Sequence, residues 1–131
     1  MAPEDVDVVL KRFEKPDEVR LFEKGRFEIV RLGPLVIGRA TYEPGWKWST
    51  HVGPGVGATR CSVEHVGMVL AGTATVAFDG RPVVELVAGS VFSVPAIPHD
   101  SWVVGDQEYV SLHFLGTEHY GMAAEAESNR P

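Results

Sequence analysis

The sequence has one cysteine, Cys61, among its 131 residues, so no disulfide can form within the chain. It has no apolar run of membrane-spanning length. Its opening letters, MAPEDVDVV, are acidic and therefore unlike a signal or transit peptide. These absences predict a cytoplasmic protein with no membrane partner.

Basic residues are few and scattered: 12 Lys and Arg stand against 18 Asp and Glu, which gives a net charge of −6. Nucleic acid is bound through a basic face that neutralises phosphates, so we expect no nucleic-acid partner. The sequence also lacks a Ser-His-Asp arrangement and a phosphate-binding glycine loop. Apolar residues make up 44% and charged residues 23%, which is typical of one soluble globular domain.

Glycine and proline, in contrast, are plentiful, with 14 and 9 residues. They separate short runs rich in Val, Ile, Thr and Phe, which indicate β-strands. These runs are FEIVRL, LVIGRATY, GMVLAGTATVAF, RPVVELV, SVFSVP, SWVVG and EYVSLHFL. Asp79-Gly80 favours a type I′ turn between two of them, and we interpret HVGPGVGAT as a glycine-rich loop. Many short strands at even spacing predict an all-β sandwich or barrel.

We therefore expect a single domain over residues 1–131. An arm of about residues 1–20 precedes a barrel of about residues 21–116. The sequence does not decide whether DVDVVLKRF in the arm is a short helix or extended. The tail, about residues 117–131, lacks an apolar face and is expected to fray.

The chain has five histidines, which are His51, His65, His99, His113 and His119. Side chains alternate between the two faces of a strand. His65 therefore shares a face with Cys61, and His99 shares one with Ser101. A lone strand histidine is more often a packed or solvated residue than a ligand, so any metal site depends on several histidines converging.

The spacing around His99 resembles the second sequence motif of the cupin superfamily. Gly89, five residues and Pro95 match its start. His99 then comes one residue early, and Val103 stands where the motif has Asn.

The first cupin motif can be aligned in two ways. A glycine, five residues and His51 reproduce its opening, and VGPGVGATR is then an insertion. Alternatively, residues 53–72 reproduce the whole spacing, with Thr59 and Cys61 in place of its two histidines and His65 in place of its glutamate. The two alignments do not exclude each other, because a preceding strand carrying His51 could face the same cavity.

Longer strings are similar to a subgroup of small bacterial cupins, found alone or joined to nucleotide cyclase-type proteins. The likeness covers about residues 17–116, with Met68 where an aromatic is usual and Ile97-Pro98 where Pro-Gly is usual. The residues shared with the subgroup are Trp46, Trp48, Ser49, His51, Cys61, His65, His99, Asp100, Trp102 and Asp106.

The resemblance implies a jelly-roll β-barrel, a small-molecule ligand and a homodimer paired through the arm before Arg20. It also implies a divalent transition metal: Zn, Fe, Mn or Ni. The expected metal ligands are His51, Cys61, His65 and His99. The expected cavity residues are Trp48, Ser101, Trp102 and His113.

Two functions stay open at this point. The first is a metal-dependent oxidoreductase, dioxygenase-like, acting on a small molecule. The second is a non-enzymatic ligand-binding or regulatory cupin whose metal is structural or absent. A cupin-type sugar isomerase is a third option.

Cys61 distinguishes two kinds of metal site. Three histidines with open positions suit Fe(II), O₂ and a substrate. If Cys61 joins them, the set becomes closed and tetrahedral, which is typical of structural zinc.

Overall fold

The structure is a computed structural model that describes residues 8–121. Within this range the chain forms ten strands and two four-residue helices. The strands are β1 (Glu18–Phe22), β2 (Gly25–Leu32), β3 (Leu35–Tyr42), β4 (His65–Ala71), β5 (Thr73–Phe78), β6 (Val84–Val87), β7 (Val91–Val94), β8 (His99–Asp100), β9 (Val103–Val104) and β10 (Tyr109–Leu115). The helices are α1 (Trp48–His51) and α2 (Gly53–Val56). No helix in the described range is long and apolar enough to span a membrane.

The strands form two antiparallel sheets. The larger sheet has the order β1-β2-β3-β10-β4-β7. In the smaller sheet β5 pairs with β6 on one side and with β8 and β9 on the other. Alternating residues of both sheets bury aromatic and aliphatic side chains in one core. The predicted all-β class is confirmed.

Two local predictions differ from the structure. The segment predicted as a loop contains α2, which begins with Pro54 in its first turn and ends at Gly57 with a φ of 74°, a left-handed cap. After β5, Gly80 has a φ of 75° but Asp79 has no positive φ. The Arg81 N–H donates to the carbonyl of Phe78 at 3.2 Å, so the turn is of type II and not type I′.

Residues 117–121, expected to fray, form an ordered turn after β10. Thr117 and Tyr120 are buried. Arg20 donates from Nη1 to their carbonyl oxygens, at 3.1 and 2.7 Å. The rest of the expected tail, from residue 122, lies outside the described residues, as do residues 1–7 of the arm. The described part of the arm, residues 8–17, has no helix, and β1 begins at Glu18.

Candidate metal centre

Backbone pairing places Cys61 directly opposite His99. The N–H of each residue donates to the carbonyl of the other, at 2.9 and 3.0 Å. Residues directly opposite in an antiparallel pair project their side chains to the same face. Both side chains are buried, with 1% and 3% exposed, so the pairing fixes a thiol and an imidazole side by side.

His65 joins this pair from the first position of β4. Cys61, Val63 and His65 are buried while the residues between them are exposed, as strand alternation predicts. Cys61 Sγ and His65 Nε2 are 3.4 Å apart. One candidate ligand atom from each of Cys61, His65 and His99 lies within 4.8 Å of the other two. These three residues are called the donor cluster below.

Burial favours the neutral form of the donor-cluster imidazoles, which is the form that binds metal. Burial lowers the pKa of His65 well below its usual range, and the nearby His113 and His99 lower it further. Burial also lowers the pKa of His99, although a hydrogen bond to Ile97 opposes the shift. His99 Nδ1 donates to the Ile97 carbonyl at 2.8 Å, which leaves Nε2 as the coordinating nitrogen.

Strand β10 contributes a polar row beside the donor cluster. Tyr109, Ser111 and His113 alternate inward and are buried. Ser111 Oγ lies 2.9 Å from His113 Nε2, and the side chains of Tyr109 and Ser111 are also hydrogen-bonded. Gly67 of β4 pairs with His113, so His113 is the diagonal neighbour of His65, with ring centroids 5.5 Å apart. Burial lowers the pKa of His113 to about 4.

A cavity of about 50 Å³ adjoins the donor cluster, whose three side chains line it. Trp48, Ser101 and His113, three of the four expected cavity residues, line it as well. Trp102 is not part of the lining. Residues 46–48 run antiparallel to 101–103, and Lys47 pairs with Trp102. Alternation therefore turns these two side chains away from the cavity, and Lys47 Nζ lies 5.4 Å from the centre of a Trp102 ring.

His51, the fourth expected ligand, lies outside the donor cluster. Its Nδ1 accepts from the Lys47 N–H at 2.9 Å, and its Nε2 lies 3.4 Å from the Glu23 carboxylate. The reason is α1, which carries His51 and was not predicted. The Asp100 carboxylate holds this helix in place by accepting from the Ser49 N–H at 3.0 Å and from its hydroxyl at 2.7 Å.

Tyr120 forms a wall of the cavity that no sequence pattern indicated. It lies in the short polar string TEHYG, yet it is 4% exposed. Its hydroxyl is hydrogen-bonded to that of Tyr42. Its ring is stacked at 6.1 Å and 19° on His113 and meets His65 edge-on at 5.4 Å. The turn held by Arg20 therefore completes the surroundings of His65.

Strand alternation alone could have indicated other residues that line the cavity. Trp46 has the parity of Trp48, and Tyr109 and Ser111 have the parity of His113; all of these line the cavity. Trp46 was not among the expected cavity residues, because a tryptophan by itself carries no signal for a cavity.

The donor cluster fits a divalent transition metal. Imidazole binds Zn, Fe and Ni well, and thiolate favours Zn among these. Structural zinc sites use four protein ligands, whereas catalytic sites use three and keep one position open. The described residues bring together one thiol and two imidazoles. This set has one histidine fewer than the closed site of Cys61 and three histidines, and it has a thiol in place of one histidine of the open three-histidine site. It is a three-ligand set with room for a further ligand.

No family model matches the chain, and no curated protein matches it. Solved structures do. A cupin-2 domain protein of Rhodospirillum rubrum is 16% identical with a TM-score of 0.52, and the match covers 83% of this chain and 67% of that one. Procruciferin, an 11S globulin of Brassica napus, is 15% identical with a TM-score of 0.57 and coverages of 81% and 30%.

Oxalate decarboxylase of Bacillus subtilis, a protein described with Mn(II) centres, is 21% identical with a TM-score of 0.50. The match covers 75% of this chain and 27% of that one. The chain thus spans less than a third of the length of procruciferin or of oxalate decarboxylase. Likeness at these identities shows the fold alone: the chain has the cupin jelly-roll fold, as the motifs predicted.

Proposed function

We propose that the chain binds one divalent transition metal through Cys61, His65 and His99 and acts on a small molecule as a metal-dependent oxidoreductase of dioxygenase type. One observation carries the proposal: three buried donors lie within 4.8 Å of one another on the wall of a cavity. A buried set of nitrogen and sulfur donors on a cavity wall suits a metal that also accepts an outside ligand.

The donor cluster favours zinc or iron over manganese. Manganese prefers carboxylate, carbonyl and water oxygens, and no carboxylate belongs to the donor cluster. When bound, iron would supply O₂ chemistry and zinc Lewis-acid chemistry. A dioxygenase needs no separate reductant, because both oxygen atoms of O₂ enter the product.

The chain's own residues position the donors and exclude water. Ile97 fixes the His99 ring, and the Cys61–His99 backbone pair fixes the distance between their strands. The rings of His113 and Tyr120 cover His65. The site is therefore formed before any metal or ligand arrives, which is how binding sites reduce the entropy lost on association.

A second function is a ligand-binding cupin with a structural metal. The thiolate of Cys61 favours zinc, which has no redox chemistry. The Tyr42–Tyr120 hydrogen bond also ties the turn at residues 117–121 to β3, and both tyrosines line the cavity. These features suit a protein that retains a ligand rather than one that turns it over.

The first experiment is metal content per chain, measured by elemental mass spectrometry on protein purified without a histidine tag. We expect one metal per chain in the wild type and in His51→Gln. We expect strong loss in Cys61→Ser, His65→Gln and His99→Gln. Full metal in His65→Gln would contradict the proposed site, and loss in His51→Gln would restore His51 as a ligand.

Oxygen uptake then separates the two functions. Iron-loaded protein is mixed with small candidate substrates in an oxygen electrode, and His65→Gln prepared in the same way is the control. Uptake that depends on substrate and on His65 supports the enzyme. Stoichiometric zinc without uptake under any loading supports the ligand-binding function.

A further inference from the structure

A metal held by the donor cluster leaves the cavity wall with a positive charge that the lining does not offset. A divalent ion bound by the Cys61 thiolate and by the neutral imidazoles of His65 and His99 retains one net positive charge. Among the described residues that line the cavity, none is Asp or Glu, and none is Lys or Arg. A charge on a largely apolar wall is costly unless an opposite charge lies beside it, so the loaded cavity favours an anion.

Two carboxylates adjoin the donor cluster in sequence, and neither serves the cavity. Glu64 is exposed, because strand alternation turns its side chain away from the face of His65. Asp100 is buried, but its oxygens accept from the Ser49 N–H at 3.0 Å and from the Ser49 hydroxyl at 2.7 Å, and Lys47 Nζ lies 3.8 Å away. Neither of these two carboxylates is therefore available to balance the metal.

Two unpaired donors of the same cavity favour oxygen as the atom that carries the negative charge. The Nε1 atoms of Trp46 and Trp48 are buried without a hydrogen-bond partner among residues 8–121, and both side chains line the cavity. An indole N–H can donate a hydrogen bond but cannot accept one, and buried polar groups are nearly always paired. An anionic oxygen is the acceptor to which such a donor bonds most strongly.

His65 supplies a third donor once a metal is bound. Its Nε2 lies 3.4 Å from Cys61 Sγ and so faces the donor cluster, whereas its Nδ1 is buried without a partner in the described range. Coordination through one ring nitrogen of a neutral histidine leaves the proton on the other. The remaining unpaired nitrogen, Nδ1 of His113, donates or accepts according to its tautomer. Three N–H groups around the loaded cavity thus require acceptor atoms.

The rest of the lining favours an organic anion over an inorganic one. Aliphatic side chains, those of Val76, Leu86 and Val94, form part of the wall. An alkyl or aryl group gains from contact with this surface, whereas a halide or a phosphate does not. The cavity also opens to solvent, so it selects the bound end of a ligand and does not fix its length.

We infer that the metal-loaded cavity binds an organic carboxylate, whose charge balances the metal and whose oxygens accept from the N–H groups of Trp46, Trp48 or His65. The inference rests on the proposed function, since it names the substrate class of that same cavity.

The test uses the full-length chain, labelled with ¹⁵N and loaded with zinc, a diamagnetic ion. The indole N–H signals of the three tryptophans are assigned with Trp→Phe variants, and Trp102 serves as an internal control outside the cavity. Acetate and acetamide are the probes, because they have the same shape and differ in charge. We expect acetate to shift the Trp46 and Trp48 signals saturably while the Trp102 signal stays. Acetamide should bind about tenfold more weakly or worse, and so should acetate after a chelator has removed the zinc.

Two further comparisons test the donors and the organic part. Trp46→Phe or Trp48→Phe should weaken acetate binding about tenfold, as expected for the loss of one hydrogen bond to a charged group, whereas Trp102→Phe should leave it unchanged. Chloride should bind more weakly than acetate, because it has no alkyl part. The comparison of acetate with acetamide uses the wild type alone and does not depend on the folding of any variant.

Equal affinity for acetate and acetamide, an acetate affinity that survives zinc removal, equal affinity for chloride, or equal movement of all three indole signals would each overturn the inference. Zinc content is measured on the same samples. One zinc per chain without a preference for acetate would refute the inference and leave the metal site standing. A chain that takes up no zinc would refute the metal site of the proposed function as well.

Discussion

Acid should destabilise the metal-free protein through His113. The ring is 8% exposed, and burial lowers its pKa to about 4 from an ordinary value of 6.5. The unfolded chain therefore takes up a proton at pH 6.5, whereas the folded chain resists protonation until about pH 4. The contribution of neutral His113 to the free energy of unfolding is fully present above pH 6.5, and it is lost as the pH falls from 6.5 to 4.

The expected size follows from the two pKa values. At about 1.4 kcal/mol per pH unit, the interval from 6.5 to about 4 corresponds to about 3 kcal/mol of unfolding free energy. His65 and His99 act in the same direction, because burial lowers the pKa of both. Three kcal/mol is a large part of the stability of a domain of this size.

The assay is urea unfolding of chelator-treated protein at pH 7, 6, 5 and 4, followed by tryptophan fluorescence. His113→Gln is the comparison, since glutamine does not titrate and can still bond to Ser111. Carboxylates such as Glu18, whose pKa is lowered by Arg20 and Arg31, also make the free energy of unfolding fall in acid. They do so in both proteins, so their contribution cancels in the difference. We expect the wild type to lose about 3 kcal/mol more than the variant between pH 7 and 4. Equal losses would refute the reasoning.

Three further predictions concern packing and assembly. A Cβ on Gly67 would collide with the Leu112 carbonyl, so Gly67→Ala should cost about 2 kcal/mol or more by urea unfolding, whereas Gly55→Ala, which meets open space, should cost nothing. Tyr120→Phe removes the hydrogen bond to Tyr42 and should cost about 1 kcal/mol by the same assay; an unchanged midpoint would show that the bond contributes nothing. We also propose a homodimer paired through the arm, where Leu10 is 87% exposed. Sedimentation should show a dimer for the wild type and a monomer for Leu10→Asp. A wild-type monomer at micromolar concentration would exclude the homodimer.

Most strands were predictable because their signal is local, although no predicted run covered β1 or β8. LVIGRATY coincides with β3, and each of the other runs contains or overlaps a strand. The short helices were not predictable in the same way. Four residues cannot show a helical period, and α1 depends on Asp100, which lies about fifty residues further along the chain. Such a contact is long-range and leaves no pattern in the helix's own sequence.

The donor cluster was partly predictable for the same reason. Cys61 and His65 share a strand face, and a motif placed His99 near them, so alternation and spacing were enough. Nothing local placed His51, since its environment is set by α1. Tyr120 is a residue of an irregular turn, and its burial depends on Arg20 at the far end of the chain. Sequence patterns predict which side chains share one face of a strand, but not which distant turn packs over that face.

The position of β10 bears on how the protein is made. It is the last strand in the described range, yet it lies between β3 and β4 in the middle of the larger sheet. A chain still on the ribosome therefore holds β3 and β4 with one edge each unpaired, and unpaired edges promote aggregation. Long-range pairing of this kind folds slowly. Because His113 and Tyr120 come later in the chain than Cys61, His65 and His99, the donor cluster is synthesised before the two rings that cover His65.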